Sequence, residues 1–151
     1  VELRRVAISI FLLIFLFDIL FCLLFLVFNN QLPWLYLDIE NATNISDVYQ
    51  VVDLSAKLLI ISAFFQISDG LQAVVLGALR GLQDVNIPAL IAFFSYCLTG
   101  LPISYILGIK LEYGVTGIWI GLLSGLTVSS ILLFLRFQYL TKKLINKNVK
   151  N

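Results

Sequence analysis

Asp69 is the residue of this 151-residue chain whose type and setting point most directly to chemistry. It lies in SAFFQISDGLQAVVLGALRGLQD, residues 62–84, a run apolar enough to cross a bilayer, with Gln66 and Gln72 close by. An ionisable residue at membrane depth costs roughly 2.5–3.5 kcal/mol on insertion scales, so its presence there needs a reason. An aspartate can hold a proton or a small cation such as Na+, and a glutamine one turn away can donate or accept a hydrogen bond. At about 100° per residue, Ser55, Ser62, Gln66, Asp69, Ala73 and Arg80 fall within a sector of about 60°. In lipid, such a polar-to-small stripe must face protein or a water-filled cavity. The pattern supports cation or proton binding at Asp69 and Gln66, with Ser62 and Gln72 lining a substrate cavity. The structural alternative is interhelical glue, in which polar side chains contribute about 0.6–2 kcal/mol to packing.

Asp18 is a second carboxylate within an apolar run, with Cys22 one turn on and Ser9 on the opposite helical face. It joins the candidate cation- or proton-binding residues, because an isolated intramembrane aspartate is a functional candidate by default. Pro102, in TGLPISY, removes a helical donor and frees the carbonyl of Leu98, with Ser95 and Thr99 on its face to satisfy freed groups. That position is a static kink or a hinge. Gly117, Gly121 and Gly125 recur at four-residue spacing, a ladder that lets helix backbones approach closely and so marks a packing face. Asp53 and Lys57, four apart, suit an intrahelical ion pair.

Other chemistry is excluded by composition. The chain has no histidine, which removes histidine metal sites and histidine catalysis, and no metal is expected beyond Na+ at Asp69. Cys22 and Cys97 both lie in apolar runs and read as reduced packing residues. No GxSxG, HExxH, CxxC or phosphate-binding loop occurs, so the chain does not read as an enzyme. A net charge of +1, with basic residues clustered only at the C-terminal end, gives no argument for nucleic acid.

The elements that must position these residues are membrane helices. Only 13% of residues are charged, about half the level of ordinary globular domains, and mean hydropathy is +1.00. Four stretches are long enough to span, at about 5–28, 48–82, 87–109 and 114–140. The second is long enough to project or tilt, and Asp47 with Gln50 resembles a capping box at its start. Trp34 and Tyr36 in the first connection suit an interfacial aromatic belt, and two sequons begin at Asn41 and Asn44. Arg4, Arg5, Arg80, Arg136, Lys142, Lys143, Lys147 and Lys150 fall on one side, against Lys110 and Lys57, which places both ends in the cytoplasm. A chain that starts at Val1, with Arg4 and Arg5 abutting the first span, is expected to be a fragment of a longer protein.

Three stretches carry a resemblance to a known family: FQISDGLQAVVLGALRGLQDVNIP, SYCLTGLPISYILG and YGVTGIWIGLLSGLTVSS, across about residues 64–130. Together they resemble the C-terminal end of the multidrug and toxic compound extrusion (MATE) transporters. FQxxDGxQ, GALRGxxD, GLPxxY and GVxGxWxGxxxG occur in that family's order, and the combination is far more specific than any one piece. The resemblance implies an all-α membrane protein of twelve helices in two lobes, with residues 1–151 as the last four helices, the C-terminal part of the C-lobe. It implies a Na+- or H+-coupled antiporter in the plasma (bacterial inner) membrane that expels organic cations by alternating access, with no other cofactor. Asp69 matches the acidic residue of the family's tenth helix, which is linked to cation binding. The implied partners are the lipid bilayer, the N-terminal remainder of the same transporter, and small organic cations. A lipid-linked saccharide flippase of the same superfamily and a structural four-helix membrane subunit are the alternative functions.

Overall fold

A computed structural model describes residues 2–35 and 45–149, so Tyr36 and the sequons at Asn41 and Asn44 lie outside the described residues. Helix α1 (Glu2–Phe28) is followed by a short 3-10 turn (Leu32–Leu35) and by α2 (Ile45–Gly81). The next span is one continuous stretch of changing pitch. It consists of α3 (Asn86–Ser95), a wide π-turn (Tyr96–Gly100), α4 (Leu101–Tyr105) and a second π-turn (Ile106–Lys110). Helix α5 (Gly114–Val149) is the last described element. Four helical stretches are long and apolar enough to cross a membrane: Ser9–Phe28, Ile45–Gly81, Asn86–Lys110 and Gly114–Leu144.

The helices run up and down. Residues 18 and 70 meet across α1 and α2, residues 68 and 130 across α2 and α5, and residues 104 and 118 between α4 and α5. This pairing makes α1 antiparallel to α2, α2 parallel to α5, and the third span antiparallel to α5. The basic ends, carrying Arg5, Arg80, Arg136, Lys142 and Lys143, therefore gather at one end of the bundle. At 37 residues, α2 is about 55 Å long, well beyond a hydrocarbon core of about 30 Å. Asp47 sits inside the first turn of α2 rather than at the capping position before it, because the helix already includes Ile45.

The core sits toward the basic end, where Val75 and Leu79 of α2 meet Leu133 and Phe137 of α5. Phe11 of α1 closes it, its ring centroid 6.2 Å from those of both Phe134 and Phe137. Most of α1 is otherwise exposed within this chain, Leu12, Leu16 and Val27 among its residues. Helix α2 ends in a Schellman turn: the amides of Gln83 and Asp84 bond back to the carbonyls of Arg80 and Leu79, at 2.9 and 3.0 Å. Gln83 takes the left-handed conformation there, at φ 62°. The turn delivers Asp84 to Arg136 of α5 at 3.0 Å, a half-buried ion pair that ties the second and fourth spans together. Arg136 also lies 5.8 Å from the centre of the Tyr139 ring. Asp53 and Lys57 form the other described ion pair, at 2.6 Å on the surface of α2.

The glycine ladder is where the third span seats against α5. Gly100 lies on Gly125, Ser104 on Gly121, and Leu107 and Gly108 on Gly117. A methyl group built on Gly117 would sit 2.6 Å from the Leu107 carbonyl carbon, and one on Gly125 would sit 2.8 Å from the Gly100 Cα. The contact is thus backbone against backbone, and the Ser104 hydroxyl donates across it to the Ile118 carbonyl at 3.0 Å. The pitch of the third span changes on both sides of Pro102. The π-turn before it widens the helix where the proline ring would otherwise press on the Leu98 carbonyl. Upstream, the Ser95 hydroxyl donates to the Ile91 carbonyl at 2.7 Å and the Thr99 hydroxyl to the Ser95 carbonyl. These two hydroxyls bond within their own turns, and Pro102 itself is exposed.

Candidate cation site

Helix α2 organises the site because each of its faces has a different neighbour. The side with Ala63, Gly70 and Val74 turns to α1, and the side with Ser68, Val75 and Leu79 turns to α5. Between them runs the stripe of Ser62, Gln66, Asp69, Ala73 and Arg80. The described helices leave it largely uncovered: Ser62 and Gln66 are half-buried, while Asp69, Ala73 and Arg80 are exposed.

Asp18 reaches this stripe from α1. It is 5% exposed, more buried than any other described carboxylate, and it fits because Gly70 has no side chain. A methyl group on Gly70 would fall 2.7 Å from Asp18 Oδ1 and would overlap the rest of the carboxyl. The Gln66 side chain lies within reach of the Asp18 carboxyl, and the Asp69 charge also acts on it. Sequence reasoning left Asp18 without a companion. Its companion is a glycine and a glutamine on the neighbouring helix.

Tyr96 arrives from the other side, at the start of the first π-turn of the third span. The residue is half-buried, and its hydroxyl interacts with the Gln72 side chain and feels the charge of Asp69. The Gln72 Oε1 atom is buried without a hydrogen-bond partner. The resulting layer joins Asp18, Gln66, Asp69, Gln72 and Tyr96, with Asp69 acting on groups to either side. It supplies two carboxylates and several neutral oxygens or amides, a donor set that suits a proton or a hard monovalent cation. Among the described residues, no group of three His, Cys, Asp or Glu side chains comes together.

A second polar seam, which sequence reasoning missed, lies one face away. The Ser68 hydroxyl meets that of Thr127 at 3.1 Å, and Ser130 donates to the Ser68 carbonyl at 2.7 Å. Thr127 and Ser130 also bond to carbonyls one turn back in α5, at 2.8 Å each. The seam is saturated by these contacts and acts to hold α2 against α5. Pro102, Gly117, Gly121 and Gly125 belong to the packing of the third span on α5, with no place in the carboxylate layer. Gly70→Ala is expected to push the Asp18 carboxyl off α2 and to weaken cation binding by the complete protein about tenfold, a loss of about 1.4 kcal/mol. Membrane expression should be retained, and binding titrations at equal protein amounts measure the change.

Comparison with known proteins places the chain in context. A family model described as MatE matches residues 1–106. A protein of Rhodopseudomonas palustris, named a probable multidrug resistance protein NorM, is 40% identical over 128 residues, covering 85% of this chain and 26% of that relative. The multidrug resistance protein NorM of Aliivibrio fischeri is 38% identical over 124 residues, covering 80% of this chain and 25% of the relative. A NorM-type relative from Xanthomonas axonopodis is 46% identical over 99 residues, covering 66% of this chain and 22% of its own. The chain thus spans between about a fifth and a quarter of the length of these relatives.

Proposed function

The chain belongs to the MatE family, and from that premise we propose that the complete transporter exports organic cations in exchange for inward Na+ or H+. Asp69 binds the coupling cation. The observation that carries this reading is the layer joining Asp69 to Asp18, Gln66, Gln72 and Tyr96. A ligand can shift a two-state equilibrium only through its different affinities for the two states. A carboxylate that is bare in one arrangement and satisfied in the other supplies that difference, because an unpaired charge in a low-dielectric layer is costly.

The clustering of Arg5, Arg80, Arg136, Lys142 and Lys143 supports a cytoplasmic basic end. The coupling ion then loads from the opposite side, down its gradient, and its arrival favours the arrangement that releases the organic cation. Gln72 and Tyr96 contribute neutral oxygens to the layer, and Ser62 lines the cavity one to two turns toward the outer end.

The test is transport by the complete protein in sealed vesicles loaded with a fluorescent organic cation. An imposed Na+ gradient or an imposed proton gradient is expected to accelerate movement of the dye against its own gradient, and the effective ion names the coupling. Dye movement unaffected by either gradient, in vesicles that contain correctly inserted protein, would overturn the reading.

A further inference from the structure

A groove of about 280 Å³ lies at the basic end of the seam between α1 and α2, outside the carboxylate layer. Its walls are Val6, Ile10, Val74, Gly77, Gly81 and the buried Phe137, all without polar side chains. The two glycines make it: a methyl group added to Gly77 or Gly81 would meet nothing within 4 Å. Such a wall offers water no hydrogen-bond partners, so water is a poor occupant.

The position of the groove in the bilayer identifies a better one. Arg5 opens the apolar run of α1 and Arg80 lies at the end of that of α2, and charges that flank apolar runs sit at headgroup level, so this end of the groove is there. From Gly81 to Val74 the wall descends seven residues, about 10 Å, into the hydrocarbon. That is the path of an acyl chain below its headgroup. Charge at the upper end sets the headgroup. Arg5 is the chain neighbour of Val6 and Arg80 that of Gly81, and both are exposed. Among the described residues neither is in an ion pair, whereas Arg136 at the same end is taken by Asp84. Basic pockets between membrane helices favour anionic headgroups.

We propose that this groove holds an acyl chain of an anionic glycerophospholipid, with Arg5 and Arg80 meeting its phosphate. The lipid would fill the space left by Gly77 and Gly81 and brace the end of α1 against α2, independently of the ion site.

The complete transporter, purified from an equimolar mixture of phosphatidylglycerol and phosphatidylcholine, tests this by native mass spectrometry of the lipid it retains. Wild type is expected to retain phosphatidylglycerol in preference to phosphatidylcholine. Neutralising Arg5→Gln and Arg80→Gln together should reduce that preference, by about fivefold per arginine. Filling the groove with Gly77→Leu and Gly81→Leu should remove the retained lipid, whichever headgroup it carries. Gly77→Ala alone provides a milder filling should the double variant not assemble. Absence of any preference in wild type overturns the proposal, as does a preference that survives the arginine changes. Retention unchanged in the filled variants overturns it too, since the groove is then closed by protein. Asp69→Asn is expected to leave the retained lipid unchanged, which keeps this outcome separate from that of the ion site.

Discussion

Asp69→Asn is expected to abolish ion-coupled efflux, lowering it at least about a hundredfold, equivalent to about 2.8 kcal/mol, without reducing the amount of protein in the membrane. Asparagine keeps the shape and size of aspartate but can neither release a proton nor present a full negative charge to a cation. The other members of the layer cannot replace that charge. Asp18 is enclosed between α1 and Gly70 and is engaged by Gln66, while Tyr96 and Gln72 are neutral. Insertion should not suffer. Asp69 is exposed between the helices and outside the described ion pairs, so its loss breaks no packing. Neutralising it also lowers the insertion cost, because a neutral amide is less costly at membrane depth than a carboxylate. The measurement is efflux of a fluorescent organic cation from drug-sensitive cells that express the complete transporter, at matched membrane levels. Undiminished efflux from the variant would remove Asp69 from the coupling mechanism. Partial recovery with Asp69→Glu would separate the requirement for charge from the requirement for geometry.

The residues differ in how much of their role is legible in the sequence, and the reason is whether the partner is local. The four spans follow from hydropathy because a membrane helix satisfies its backbone internally, whatever its neighbours are. The polar stripe around Asp69 is visible for the same reason, since it is a periodic property of one helix. Asp18 is different. Its carboxyl is accommodated by a missing side chain at Gly70 on another helix, and no pattern within 5–28 announces that contact. Tyr96 is invisible for another reason: an aromatic residue in an apolar run reads as lipid-facing filler until packing on α5 brings it within side-chain reach of Gln72. The wide turns at Tyr96–Gly100 and Ile106–Lys110 are not readable either, although Pro102 marks the place where helical pitch must adjust. Ser68, Thr127 and Ser130 look like hydroxyls content with their own helix, and two of them do bond one turn back. Only the crossing of α2 and α5 turns them into a seam. The four-residue spacing of the glycines marks a close contact but does not name the partner, which only the tertiary structure supplies.

That partner makes Gly121→Leu the most damaging substitution expected for the fold. A Cβ at Gly121 overlaps the backbone nitrogen and Cα of Ser104, and main-chain atoms cannot swing aside as a long side chain can. The third span would have to move away from α5 as a unit. The shift would also open the contacts at Gly100 and Gly125, where a methyl group already has only 2.8 Å, and at Leu107 and Gly117, where it has 2.6 Å. Ser104, which is 6% exposed, would lose its bond to the Ile118 carbonyl and leave a hydroxyl buried without a partner. Overpacking costs about 1–3 kcal/mol where side chains can adjust, and more is expected where they cannot. Lost interhelical hydrogen bonding adds about 0.6–1.7 kcal/mol. The combined penalty of roughly 2–5 kcal/mol is a large part of a marginal total stability of about 5–15 kcal/mol. The expected result is a drop of about tenfold or more in monodisperse protein after detergent extraction, read by size-exclusion chromatography. Wild type, extracted in parallel, is the reference. Gly121→Leu yielding as much folded protein as wild type would mean that the third span and α5 do not approach backbone to backbone.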